Sequence, residues 1–370
     1  MTGRADSRMR VLYLSRGGNP HDRRFLTALA GTEHEIFFLP MEVSADSERE
    51  FVPGQIEILD LPVMPSPTDL GDILERIQPD LVHAGPIQGG AYLAAQTGWH
   101  PLVSMSWGSD LLIEARDGAG REKAEIALPA SEVLVCDCRT VREAAIRLGM
   151  YGDRIVVFPW GVDLKRFSPS QDGQLRERLG WQDNFVILST RAWEPLYGVD
   201  LIVKAFIEAS KKDSSLRLLV LGQGSSGAEL LDDLEQAGLS DLAHFPGVVE
   251  PEELPAYYCA ADLYVSASRS DGSSISLLEA MASGRPALVS DIPGNKEWVR
   301  SGENGWLFSD GDVEELATDL LKAASSRPEL ADMGAQARRI VEARGDWTSN
   351  FPKLLEAYQL AMSVPVRQVG

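Results

Sequence analysis

Two carboxylates stand eight residues apart in "DGSSISLLE", Asp271 and Glu279, with a glycine and serines between them. The apolar spacing of "ISLLEAMA" predicts a helix that stops at Gly284. Ser274 is placed to cap it, so the amides of Gly272, Ser273 and Ser274 point outward, where phosphate oxygens can be held. Gly272 lets the backbone approach a ligand closely. Asp271, itself an anion, would instead accept hydrogen bonds from neutral donors such as sugar hydroxyls. Glu279 shares a helix side with Ser276 and Ser283, away from Leu277, Leu278 and Met281. That leaves it either on a solvated face or reaching a ligand.

Three further segments offer groups for an anion. Arg191 follows the apolar run "FVILST", where a guanidinium fork suits a diphosphate; a surface loop arginine is the alternative. Lys296 follows "PALVS" at the start of a helix and has the same two readings. Gly17 and Gly18, in "RGGNPHDRRF" after the first strand, either present amides to a ligand or make a plain strand-to-helix turn. His21 and His83 read as capping or core histidines before catalysts. Gly222, Gly224 and Gly227 form a G-x-G-x-x-G, but the next strand ends in Pro246-Gly247 where a dinucleotide site needs an acidic residue. "SDGD" at 309–312 reads as a helix cap and not as a metal site. Zinc-protease, Walker and serine-nucleophile motifs are absent from the sequence.

The elements that must position these residues are short β-rich runs alternating with amphipathic stretches. Strands are expected at Arg10–Leu14, His34–Leu39, Ile56–Leu59, Asp80–His83, Leu102–Met105, Glu132–Cys136 and Ile155–Phe158. A Pro- and Gly-rich stretch, Phe158–Gln174, reads as a linker, and the alternation then restarts at Phe185–Ser189, Arg217–Leu221, Ala243–Phe245, Leu263–Ser266 and Pro286–Ser290. From about Asp312 the chain is expected to be mostly helical. This pattern predicts an α/β protein of two doubly wound parallel-sheet domains, with ligands beyond the carboxyl ends of the strands in a cleft between them.

The 370 residues suffice for two cores, and the formal net charge is −20. Residues 1–168 carry 17 Lys+Arg against 24 Asp+Glu, and the remainder 18 against 31. That balance disfavours delocalised binding to nucleic acid or anionic lipid, while leaving room for a local cationic pocket and for weak peripheral membrane contact. Cys136, Cys138 and Cys259 cannot build a disulfide framework and read as reduced. With no signal-peptide pattern and no long apolar run, a cytoplasmic location and no transmembrane segment are expected.

Taken together, these residues resemble a family 4 glycosyltransferase of the GT-B fold, across nearly the whole chain. The most specific match is to the family's E-x7-E signature, with Asp271 at the first glutamate, Glu279 at the second, and "LLEAMASGRP" after them. "LVHAGP", "WGSDLL" and "FPWGVDLKRF" resemble landmarks of the first half. The resemblance implies two Rossmann-like domains, 1–168 on the acceptor side and 169–346 for a nucleotide-sugar, with a C-terminal helix in 347–370 crossing back to the first. It implies retaining transfer of a hexose-type sugar to an unidentified acceptor, without metal or other cofactor. Asp271 would bind the sugar, Glu279 the ribose, Arg191 the diphosphate, with Gly17 and Gly18 near phosphates and acceptor and the Gly272–Ile275 amides near sugar and diphosphate. Three departures stand out. Aspartate replaces the first glutamate, Tyr197 stands where the family has a lysine before Gly198, and Trp107 stands where many relatives have a histidine. Lys296 or Arg269 is the expected substitute for the missing cation. The rival readings are a nucleotide-sugar epimerase of the same fold and a non-catalytic nucleotide-sugar binder.

Overall fold

The computed structural model describes residues 8–60, 63–169 and 173–365. They form two compact units, one running to Phe158 and resuming at Phe351, the other Pro159–Asn350. In the first, seven parallel strands lie in the order β3-β2-β1-β4-β5-β6-β7. These are β1 (Arg10–Ser15), β2 (Glu35–Pro40), β3 (Glu57–Ile58), β4 (Leu81–Ala84), β5 (Leu102–Met105), β6 (Val133–Cys136) and β7 (Ile155–Val157). The second has β8 (Phe185–Ser189), β9 (Leu216–Leu221), β10 (Ala243–Gly247), β11 (Leu263–Ser266), β12 (Ala287–Ser290) and β13 (Gly305–Phe308), ordered β10-β9-β8-β11-β12-β13.

Every residue of β4, β5, β6, β8, β11 and β12 is buried, because helices cover both sheet faces; that is why these strands read as continuous apolar runs without alternation. Apolar cores on the two faces of the second sheet meet at β8, β9, β11 and β12.

Three sequence expectations shift. The strand β13 was not expected; four residues at a sheet edge leave too short a pattern to recognise. The stretch read as a linker is built into the second unit: Val162 bridges Asp346, and Val162 and Phe167 are buried in its core. The boundary therefore falls at Phe158–Pro159 and not at 168, with residues 170–172 of that stretch outside the described residues. The C-terminal segment divides in the same way. Trp347–Asn350 stays with the second unit, whereas the helix Pro352–Ser363 packs on β5, β6 and β7 of the first; residues 366–370 lie outside the described set.

Candidate functional site

In the second sheet β8 and β11 are neighbours although β9 and β10 separate them in the chain. The crossovers leave them in opposite directions, which opens a crevice at their carboxyl ends. The loop after β8 carries Arg191 and the loop after β11 carries Asp271.

These two side chains meet. Arg191 Nη2 lies 2.8 Å from Asp271 Oδ2, and both groups are largely buried. Arg191 Nη1 donates to Ser274 Oγ at 2.8 Å and to Ser276 Oγ at 3.1 Å. The guanidinium carbon sits 4.1 Å from the centre of the Tyr197 ring, a cation–π contact. Burial works most strongly against the charge on Arg191, but Asp271 together with Tyr264, Tyr197 and Tyr258 outweighs it, holding its pKa above the ordinary value. Arg191 Nε is buried without a hydrogen-bond partner, and Asp271 Oδ2, despite its proximity to Nη2, is not aligned to accept one. Each such orphan costs about 1–3 kcal/mol, a cost that a suitable ligand relieves.

Glycines hold this geometry. A Cβ on Gly294 would stand 2.4 Å from the carbonyl oxygens of Asp271 and Gly272, so only glycine lets the turn after β12 press against the Asp271 loop. The G-x-G-x-x-G loop after β9 does the same for Arg191: a Cβ on Gly222 would come within 3.0 Å of the Arg191 carbonyl, and one on Gly224 within 2.5 Å of that of Trp193. Those glycines seat a neighbouring loop of this chain.

The helix Ile275–Ala282 starts where expected, with Ser274 in the N-cap position, yet Ser274 makes no side-chain cap bond. Its hydroxyl is drawn to Arg191 and Ser276 instead, so the opening amides of the helix lack a side-chain cap. Ser273 Oγ accepts from Trp298 Nε1 at 3.4 Å. Glu279 is half-buried and not on a solvated face, with Tyr258 donating to its Oε2 at 2.8 Å. The Tyr258 hydroxyl also lies 3.0 Å from Thr190 Oγ1, and burial together with the Glu279 charge raises its pKa, so it remains a donor. Tyr264 meets Ser276 Oγ at 2.7 Å beneath the same network. Sequence reasoning missed Tyr258, Tyr264 and Thr190; for the two tyrosines the only signal was a polar aromatic group in an otherwise apolar element, which needs a buried partner.

Other candidates are placed elsewhere. Lys296 is exposed and pairs with Asp291 at 2.9 Å, and Arg269 is exposed; neither joins the Arg191 network. Tyr197 puts an aromatic face on Arg191 where the resemblance expects a second cation. Gly17 and Gly18, in the first unit, have positive φ (77° and 68°), but their amides are already engaged, by Asp22 at 3.0 Å and Glu48 at 2.8 Å. They are not open to an anion in this state. His21 lies beside Trp107, ring centres 5.4 Å apart. His83 is a core residue, its Nδ1 2.7 Å from the Tyr358 hydroxyl, and burial lowers its pKa to about 3. Asp312 caps its helix through Glu315 N at 2.9 Å. Among the described residues no group of three or more His, Cys, Asp or Glu could hold a metal ion, and no helix is long and apolar enough to cross a membrane.

Comparison with known proteins gives this site a setting. The family model described as "Glycosyl transferases group 1" matches residues 172–340. The D-inositol 3-phosphate glycosyltransferase of Nocardia farcinica is 30% identical over 311 residues, covering 76% of this chain and 67% of its own. The chain belongs to the group 1 glycosyltransferases. The D-inositol 3-phosphate glycosyltransferase of Rhodococcus opacus is 28% identical over 373 residues, covering 90% of this chain and 83% of its own. Among solved structures, Anabaena HepE in complex with UDP superimposes with a TM-score of 0.81 at 20% identity, over 95% of this glycosyltransferase and 100% of HepE. Sucrose-phosphate synthase from Thermosynechococcus elongatus does so at 0.78 and 18% identity, over 95% and 98%. The fold of the glycosyltransferase is GT-B, with both of its parallel sheets matched, and the Arg191–Asp271 site lies within the segment that the family model covers.

Proposed function

We propose that this glycosyltransferase takes a nucleoside-diphosphate sugar and transfers a hexose with retention of configuration, as a family 4 enzyme working in the cytoplasm without a metal. The observation that carries the reading is the buried, unpartnered Nε of Arg191 beside an uncapped helix start, at the crevice between β8 and β11. An anion bearing several oxygens satisfies both. HepE has been solved with UDP-glucose, which supports a donor of that class.

The ion pair gives the donor a way to prepare its own site. A diphosphate carries more charge than one carboxylate and competes with Asp271 for the guanidinium. Once displaced, Asp271 is freed to accept hydrogen bonds from the sugar hydroxyls. Glu279, steadied by Tyr258, holds the ribose, and the departing phosphate takes the acceptor proton. Exchange of one partner of Arg191 for another keeps its buried charge neutralised throughout, which avoids the cost of an isolated buried ion. Lys296 has no part in this scheme as long as Asp291 holds it.

A thermal-shift panel of UDP, GDP, ADP and TDP with their sugars tests the donor. A ligand at about 100 times its Kd stabilises by about 2.7 kcal/mol. If none of these nucleotides stabilises the protein, the reading fails. D-inositol 3-phosphate, named in the relatives' descriptions, is the first acceptor to assay, with the anomeric configuration of the product read by NMR and the rate compared with and without a chelator.

A further inference from the structure

The second unit also carries a cavity of about 790 Å³ that is no part of the Arg191 site. Asp262, Gly284, Arg285 and Pro286 line it, and these residues precede β11 and β12, so it opens at the amino edge of the sheet. Five arginines line its wall: Arg176, Arg285, Arg327, Arg338 and Arg339. Among the described residues that line it, Asp262 is the one carboxylate. From residue 169 onward the chain has 18 basic and 31 acidic residues, so five arginines converging on one cavity run against the local charge balance.

Backbone carbonyls fix several of these guanidinia without neutralising them. Arg176 Nε donates to Ala260 O at 2.7 Å, Arg285 to Ser283 O at 3.0 Å and Ala261 O at 2.9 Å, and Arg338 Nη1 to Phe167 O and Ala282 O, both at 2.6 Å. Asp262 is committed to Arg176 at 2.8 Å and to the Val186 amide at 2.8 Å. Arg338 pairs with Glu342. Among the described residues Arg285, Arg327 and Arg339 form no ion pair, and burial pushes the Arg285 guanidinium down. Like charges held together around a concave site at this cost favour a multiply charged anion over solvent. The volume lies in the range of small-ligand pockets, about 300–1,000 Å³, and guanidinium forks match phosphate oxygens.

We propose that this cavity binds a small, multiply charged phosphate compound, at a site separate from the one that holds the donor. Inorganic pyrophosphate is the probe, titrated calorimetrically into the full chain. Because pyrophosphate also suits Arg191, the titration is run in an Arg191→Ala background. One saturable site should remain there, weakening as salt is raised, with orthophosphate bound at least tenfold more weakly. Adding Arg327→Gln and Arg339→Gln should weaken it at least tenfold. Both side chains are exposed, and thermal unfolding of the variant checks that the fold persists. Arg285→Lys, which keeps the charge but loses the fork, should weaken it at least threefold. The proposal is overturned if no saturable binding remains without Arg191, if the added substitutions leave the affinity unchanged, or if orthophosphate binds as tightly as pyrophosphate. None of these outcomes bears on whether the protein transfers a sugar from a nucleotide donor.

Discussion

The two units wind the first six strands of their parallel sheets in the same order, and each has a glycine-bearing loop after a strand inside its sheet, yet the loops are electrically opposite. In the first, the amides of Gly17 and Gly18 already donate to carboxylates of their own chain, Asp22 and Glu48. In the second, the carboxylate nearest the helix start is held by an arginine, and the helix has no side-chain cap. In one case the amides are filled by carboxylates, and in the other the side chain at the cap position is turned to an arginine. A glycine motif alone therefore does not report whether the chain's own carboxylates already fill its amides.

The comparison can be broken or sharpened by substitution. Asp271→Asn should reduce transfer by about 100-fold or more, since it weakens at least two hydrogen bonds worth about 1.5–3 kcal/mol each. Nucleoside-diphosphate binding should hold steady or tighten in the same variant, because Arg191 is released from its internal partner. Parallel loss of rate and of binding by calorimetry would show that the second loop is as self-satisfied as the first. Arg191→Ala should weaken diphosphates by about 10- to 100-fold, by the same estimate for charged hydrogen bonds, and leave nucleosides unaffected. Tyr258→Phe, which removes the donor to Glu279, should raise the donor KM about five- to tenfold with kcat nearly unchanged.

The first unit should answer in stability instead. Asp22→Asn, in the filled loop, should alter donor kinetics by no more than about twofold while lowering stability by about 1–3 kcal/mol, measured by urea unfolding. His83 supplies a pH signature for the same unit. Its pKa is about 3 in the folded state against an ordinary 6.5, because it is buried. Between those values the unfolded chain holds a proton that the folded chain does not. The contribution is complete above the ordinary value and is lost as pH falls, at about 1.4 kcal/mol per pH unit. His83→Gln should flatten that part of the stability profile; an unchanged slope would show that the ring titrates normally.

Much of this was legible because it is local. Strand positions follow from apolar runs buried on both faces, and Asp271, Glu279 and Arg191 stand out as polar groups just beyond or between such runs. What was not legible depends on partners distant in sequence. Nothing near Arg191 announces Asp271 eighty residues on, nor does anything near Gly18 announce Glu48 thirty residues on. Lys296 looked available because its competitor, Asp291, lies only five residues back yet reads as a plain loop residue. Tyr258 was hidden by the helix that buries it, since an aromatic residue there looks like core until the position of Glu279 is known.

The return of the chain to its first unit sets an order of events during synthesis. The helix Pro352–Ser363 buries Leu354, Ala357, Tyr358 and Ala361 and brings the Tyr358 hydroxyl to His83. It is made only after the whole of the second unit. At about 5–20 residues per second, the roughly 200 intervening residues take about 10–40 s to emerge. For that interval β5, β6 and β7 lack the cover this helix gives them. The second unit, by contrast, is contiguous in sequence and can close as soon as it leaves the ribosome. The nascent chain can therefore finish its younger half first, while the older one keeps an uncovered apolar face until the last helix arrives.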